Sequence, residues 1–168
     1  MATPKTARAK AMRDESGFTL IELMVVILIM GILAAIAIPT FLGARSSAQN
    51  KAAETDLRNL LTSESVSYTN TQTYVGNAAL ATLDPAYTKD LTGSTPIVTI
   101  TPSATTATTP YVCLSEKAAS GTYFGIATIA TGSNAGTYYY SGASAPGCTL
   151  SSSGGMTGYH SSATTAGW

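Results

Sequence analysis

An uninterrupted apolar run near the N-terminus constrains this 168-residue chain more than any other feature. From Leu23 to Ala44 no residue carries a formal charge, and most side chains are large and aliphatic. As a helix the run would be about 33 Å long, close to the ~30 Å thickness of the hydrocarbon core of a bilayer. It is also apolar all the way round, which does not suit a helix with one face on a small core. The run therefore predicts a helix that spans a membrane or that other protein buries on every side.

The start of this run differs from an ordinary secretory signal. A signal peptide has a shorter apolar region that ends at a small-residue cleavage site. Here Gly17 stands before the run, so cleavage next to it would leave the apolar helix on the mature chain. Glu22 lies inside the apolar stretch, where a carboxylate is costly and usually has a partner. Glu22 therefore either meets a specific partner or marks the membrane interface.

The stretch from Gly17 to Glu22, GFTLIE, resembles the class III signal of type IV pilins and their relatives, the pseudopilins. The resemblance implies that a prepilin peptidase cuts between Gly17 and Phe18 and that the new amine of Phe18 is methylated. It also implies that the Glu22 carboxylate pairs with the terminal amine of a neighbouring subunit during assembly.

The resemblance extends over residues 16–44, under a fifth of the chain. Gly31 and Pro39 fall where that family also has a glycine and a proline, and it implies that the helix loosens between them in assembled filaments. We therefore expect these two residues to matter for filament packing.

The residues before the apolar run form a polar, basic leader, Met1–Gly17, that has no apolar periodicity. The whole chain has a formal charge of zero, but loss of this leader leaves the mature chain mildly acidic. No basic stripe remains, so the sequence gives no support for specific nucleic-acid binding. The pilin resemblance implies a single-pass precursor in the inner or cytoplasmic membrane with its N-terminus inside the cell, followed by an extracellular pilus.

The rest of the sequence predicts an α+β fold, in which one long bent N-terminal helix packs on a small antiparallel sheet of about four strands. The helix is expected from about Phe18 to Tyr68, with an amphipathic second half. Four β-like runs are expected at Ile97–Thr101, Tyr111–Ser115, Thr122–Thr131 and Thr137–Ser141.

The predicted organisation has six parts. These are a cleaved leader (1–17), an apolar membrane or filament-core helix (18–44), the amphipathic half of the helix (45–68), a connecting loop with a possible helical turn at Ala78–Leu83 (69–96), the sheet (97–141) and a Gly/Ser/Thr-rich C-terminal region, parts of it loosely held (142–168).

Two cysteines, Cys113 and Cys148, both follow the apolar helix. In an exported domain this count suggests one disulfide, whereas an intracellular domain would keep two free thiols. The family often has a disulfide-bracketed region near its C-terminus, and this pair looks similar.

Other candidates for chemistry are weak. His160 is the single histidine, and no nucleophile lies at a suitable spacing, so it predicts a solvated residue of the C-terminal region rather than a catalytic base. Asp84 and Asp90 could contact calcium, but nothing resembles an EF-hand loop. Tyr138, Tyr139 and Tyr140 predict a strand with tyrosines on both faces. We therefore expect no metal, no cofactor and no catalytic residues.

These observations together predict a structural subunit rather than an enzyme. The resemblance implies a prepilin that is cleaved, methylated and polymerised into a type IV pilus for adhesion, motility or DNA uptake. Its partners would be identical subunits in a helical filament, the prepilin peptidase and the pilus assembly platform with its motor. One alternative is a pseudopilin of a type II secretion or competence machine. Another is a membrane-anchored binding module or enzyme that uses a borrowed export signal.

Overall fold

The computed structural model describes residues 17–91, 98–104, 107–162 and 165–168, with the backbone alone at 89 and 90. The predicted leader, except for Gly17, lies outside the described residues. The chain divides into two compact units, an N-terminal unit (Met1–Phe41) and a C-terminal unit (Leu42–Trp168), which are described one at a time.

Helix α1 runs from Leu20 to Thr71 and contains Pro39. In the N-terminal unit it begins with a capping box, in which the residue before the helix and one in its first turn bond to each other. The Thr19 backbone N–H and hydroxyl donate to Oε2 of Glu22 over 2.9 and 2.7 Å, and the Glu22 N–H donates to Thr19 Oγ1 over 3.3 Å. The helix therefore starts two residues after the predicted Phe18, because Thr19 acts as the cap.

In the C-terminal unit, α1 ends at a residue in the left-handed conformation. Gln72 has φ 57°, and its N–H donates to the carbonyl of Tyr68 over 2.8 Å. This is the usual way of closing the last turn of a helix, although glycine is the common residue there. The helix extends three residues beyond the predicted Tyr68 because this turn includes the polar Thr69–Thr71.

The connecting segment is more helical than the loop predicted at 69–96. It contains α2 (Asn77–Leu83), a 3-10 turn (Pro85–Tyr87) and α3 (Thr88–Leu91). Leu80 and Leu91 are buried and anchor these short elements on the core. Elements this short give no readable period in the sequence, which explains why only one helical turn was predicted.

The sheet has four antiparallel strands in the order β1-β2-β3-β4, which confirms the predicted α+β fold. The strands are β1 (Val98–Pro102), β2 (Tyr111–Lys117), β3 (Tyr123–Ile129) and β4 (Gly136–Gly142). β3 is shorter than the predicted Thr122–Thr131, because Ile129 pairs with Gly136 of β4 and residues 130–135 form the connecting loop. In the register, Leu114 of β2 lies opposite Ile100 of β1 and Ile126 of β3.

One face of this sheet packs on α1. Its core joins Leu57 and Leu60 of the helix to side chains of the first three strands, among them Val98, Ile100, Val112, Leu114, Phe124 and Ile126. This is the helix-on-sheet packing that the amphipathic pattern of 45–68 predicts.

The other face of the sheet is covered by the C-terminal region. Met156 and Tyr159 pack against Cys113, Ala127 and Ile129 in a second core. This explains why β2 and β3 are buried on both faces. Met156, Tyr159 and Ala166 are thus buried in the region predicted to be loosely held in part, whereas many of its other described residues are exposed.

Candidate functional site

The candidate site is the apolar surface of α1 in the N-terminal unit. The large apolar side chains from Phe18 to Phe41 are between about half and nine-tenths exposed. By length and composition α1 is the one described helix that could cross a membrane, and none of its most apolar window is buried. An exposed apolar surface of this size marks a membrane or protein contact rather than an ordinary solvated helix.

The N-terminal end of this surface is open. Phe18 is 91% exposed, and a Cβ placed on Gly17 would meet no atom within 4 Å. The Gly17–Phe18 peptide bond is therefore unobstructed by the described part of the chain. The arrangement permits access by a protease, although cleavage and methylation at these residues stay predictions.

The Glu22 carboxylate forms hydrogen bonds within the first turn of α1. One of its oxygens accepts both donors of Thr19, so the residue caps the first turn of α1. Thr19 was not among the predicted site residues, although the spacing Thr-x-x-Glu before an apolar run is the sequence signal of a capping box. Its pairing with a neighbouring amine stays a prediction.

Gly31 and Pro39 both lie within the exposed part of α1. A Cβ at Gly31 would meet no atom within 4 Å, and proline lacks the N–H that would bond to the carbonyl four residues earlier. In the turn around Pro39, the Thr40 hydroxyl donates to the carbonyl of Ile36 over 2.9 Å. Pro39 therefore removes one helical hydrogen bond from this stretch, and loosening in a filament remains an expectation.

The structure joins Cys113 and Cys148 in a disulfide with a Cα–Cα distance of 5.9 Å. Cys113 lies on β2 and is buried in the second core, and Cys148 belongs to the C-terminal region. The bond therefore fastens this region to the middle of the sheet.

The C-terminal region also closes the outer edge of β4. Tyr139 and His160 exchange two backbone hydrogen bonds of 2.7 Å, and the Trp168 indole N–H donates to the carbonyl of Tyr140 over 2.8 Å. Tyr139 packs with the α1-facing core, whereas Tyr138 and Tyr140 pack with the second core. The tyrosines thus lie on both faces of the strand and bury part of each ring.

The residues considered as a catalytic base or as calcium ligands lie in the C-terminal unit. His160 is exposed, and its backbone pairs with β4. Asp84 accepts a hydrogen bond of 2.8 Å from the Ser63 hydroxyl, and the side chain of Asp90 lies outside the described atoms. In the described residues no cluster of three or more metal-ligating side chains occurs.

Glu64 is a buried carboxyl group that was not among the predicted site residues. It has no exposed surface, and its Oε2 accepts the Val75 N–H over 3.0 Å. Burial raises the pKa of Glu64 to about 7, and the bond from Val75 opposes that rise. The signal that could have found it is its spacing, because Glu64 follows Leu60 by four residues and Leu57 by seven and therefore lies on the same helix face.

A comparison of sequences bears directly on the N-terminal segment. Residues 12–38 match the family described as the prokaryotic N-terminal methylation motif. No solved structure matches the chain.

Curated relatives match the same part of the chain. The type II secretion system core protein G of Vibrio cholerae is 48% identical over 48 residues, 29% of this chain and 33% of the relative. The type IV major pilin protein PilA of Myxococcus xanthus is 52% identical over 48 residues, 29% of this chain and 22% of the relative. The type IV wide pilus major component PilA4 of Thermus thermophilus is 38% identical over 68 residues, 40% of this chain and 52% of the relative. The matched stretch therefore spans about half of these relatives at most.

Proposed function

We propose that the chain, whose N-terminal segment is similar to type IV pilins and pseudopilins, is a prepilin that matures into the structural subunit of a surface filament. The observation that carries this proposal is the exposed apolar surface of α1 together with the motif at its start. Such a surface can be covered first by lipid and then by the same helix of other subunits.

The proposed sequence of events begins with proteolysis. A prepilin peptidase cuts after Gly17, and the amine of Phe18 is methylated. The apolar helix keeps the mature chain in the membrane until an assembly machine extracts it. Heterologous contacts between identical subunits then build an open, helical filament, because a contact that does not close on itself propagates.

We assign Glu22 two successive tasks in this scheme. Before assembly its carboxylate caps α1 through Thr19. In a filament core it would instead meet the terminal amine of a neighbouring subunit. Loss of one partner of a buried ion pair typically costs ~3–5 kcal/mol, which is enough to set the register of each incoming subunit.

The overall proposal is tested on filaments sheared from cells that express the chain. We expect electron microscopy to show filaments that contain this subunit, and mass spectrometry to find an N-terminal peptide that starts at methylated Phe18. Assembled subunits that keep the Met1–Gly17 leader, or an absence of any filament, would contradict it.

The role of Glu22 is tested separately. Glu22→Leu is expected to insert and be cleaved, yet to accumulate in the membrane instead of the sheared fraction. Thr19→Ser is the matched control, since it keeps a capping hydroxyl and should assemble normally. Immunoblots of the membrane pool and the sheared fraction measure the ratio, and an unchanged ratio for Glu22→Leu would remove the assembly role.

A second candidate within the same family is a pseudopilin, which forms a short fibre inside a secretion machine. The observation that favours it is that several similar relatives are named type II secretion system core protein G. Filaments absent from the surface but present as short periplasmic fibres would support this candidate over a surface pilus.

A further inference from the structure

A small groove in the C-terminal unit exposes two large aliphatic side chains. Val66 of α1 is 56% exposed and Leu83 of α2 is 62% exposed. Both line a groove of about 200 Å³, together with Ser63, Ser67, Asn70 and Asp84. Because a water occupies ~30 Å³ in the liquid, this space can take one large aliphatic side chain.

The groove has an acidic rim. Asp84 caps the end of α2, where its N–H donates to the carbonyl of Leu80 over 2.8 Å. Its carboxylate accepts the Ser63 hydroxyl over 2.8 Å, which ties α2 to α1. In the described part of the chain Asp84 forms no ion pair. The salt bridge found there joins Lys51 to Glu54. The groove therefore offers an apolar wall beside one negative charge.

The same unit presents a complementary pair of side chains elsewhere on α1. In the described part of the C-terminal unit, Leu42 is the one exposed large aliphatic side chain besides those of the groove. Arg45 is also exposed and lies three residues later, on the same helix face. Leu42 and Arg45 thus display an apolar group next to a positive charge.

Arg45 differs from the other basic side chains described in this unit in its contacts. Lys51 pairs with Glu54, Arg58 lies over the Trp168 ring at 5.3 Å, and Lys117 lies over the Tyr123 ring at 5.4 Å. Arg45 has no such partner in the described part of the chain. A charge left unpaired beside an exposed leucine is what a contact with another copy would use.

We propose that the groove of one subunit receives Leu42 and Arg45 of a neighbouring copy, with Leu42 against Val66 and Leu83 and with Arg45 beside Asp84. This contact rests on the proposed function, since it requires assembled subunits. Leu42 and Val66 lie roughly 36 Å apart along α1, so one chain cannot make the contact within itself. The two partners are different patches, so the contact is heterologous and suits an open filament rather than a closed dimer.

The test exchanges the charges in the full-length chain. Arg45→Glu and Asp84→Lys are each expected to lower the ratio of sheared filament to membrane pool about tenfold, which corresponds to ~1.4 kcal/mol lost per contact. The double variant Arg45→Glu/Asp84→Lys restores opposite charges and is expected to recover most of the ratio. Lys117→Glu is the matched control and should behave as the parent chain.

The outcomes separate folding, contact and function. Complete formation of the Cys113–Cys148 disulfide, measured by alkylation, shows that each variant has folded. Unchanged single variants, or a double variant that does not recover, would overturn the contact. A parent chain that forms no filaments would instead contradict the proposed function.

A second measurement does not depend on charge. In the variant Leu42→Cys/Leu83→Cys, oxidation of intact filaments should link successive copies into a ladder of multimers. A product that stops at the dimer would indicate a closed, reciprocal contact and would overturn the proposal, as would an absence of cross-links.

Discussion

Gly125, in the middle of β3, is a residue whose missing side chain shapes the second core. A Cβ at this position would lie 2.9 Å from Cγ of Pro146 and 3.0 Å from the hydroxyl oxygen of Tyr159. Real Cβ atoms essentially never approach another atom that closely. The glycine therefore allows the C-terminal region to lie directly on the sheet.

We expect Gly125→Ala to destabilise the protein by about 1–3 kcal/mol, the usual cost of overpacking a core. Gly147→Ala is the matched control, because a Cβ there meets nothing within 4 Å. Thermal unfolding of the detergent-solubilised full chain, followed by circular dichroism, gives the difference. Equal melting temperatures for both variants would show that the C-terminal region is not held as described.

Glu64 makes stability depend on pH. Its pKa is about 7 in the folded chain, against 4.5 for an unperturbed glutamate, so between these values the folded state holds a proton that the unfolded state has released. Stability therefore falls as pH rises through this window and levels off above about pH 7. The loss amounts to about 3 kcal/mol, since one pKa unit corresponds to ~1.4 kcal/mol.

The variant Glu64→Gln is expected to remove this dependence, because a neutral amide can accept the Val75 N–H at every pH. Urea unfolding at pH 5 and pH 8 measures the effect on the full chain in detergent. The parent chain should be less stable at pH 8 than at pH 5, and the variant should differ much less. A parent chain that gains stability across this interval would contradict the buried, protonated carboxyl.

At the scale of the elements, the outer edge of β1 is closed by one side chain of α2. The Asn77 amide donates to the carbonyl of Val98 over 2.6 Å and accepts the Ile100 N–H over 2.7 Å. It thus bonds to β1 as a neighbouring strand would. Open strand edges are templates for aggregation, so this side chain protects the sheet as well as holding α2.

We expect Asn77→Ala to cost about 2–3 kcal/mol, because two buried backbone groups lose their partners. It should also raise aggregation at a given protein concentration. Asn59→Ala, at an exposed position of α1, is the control and should change neither property. Urea unfolding and light scattering measure the two effects, and a variant as stable and monodisperse as the control would refute the edge role.

At the scale of the whole molecule, the disulfide decides how firmly the C-terminal region covers the sheet. The bond closes a loop with a sequence separation of 35, for which the chain-entropy model gives about 4 kcal/mol. We expect the double variant Cys113→Ser/Cys148→Ser to lose stability of that order. Limited proteolysis should then cut first in residues 142–162, with the parent chain cut there much more slowly. Free thiols in the native, unreduced parent would contradict this prediction.

The sequence by itself was enough to predict the α+β fold and the pilin-type N-terminal segment. Both depend on contiguous signals: an apolar run long enough to span a bilayer, a processing motif at its start, and β-rich runs separated by turns. The structure confirms the fold class, and the comparisons match the N-terminal segment to the methylation motif and to named pilins and secretion proteins. Cleavage at Gly17 and the assembly role of Glu22 stay predictions, because they concern other molecules.

Only the tertiary structure shows which parts of the sheet the polar and small residues contact. The second core unites Cys113 and Ala127 with Tyr159, and the edge contact joins Asn77 to Val98 and Ile100. Such contacts link residues that are far apart in the chain. A Gly/Ser/Thr-rich segment has no hydrophobic periodicity from which these contacts could be predicted. The hydrophobic pattern of the sequence predicts which residues are buried, but the path of the chain in space determines which residues they pack against.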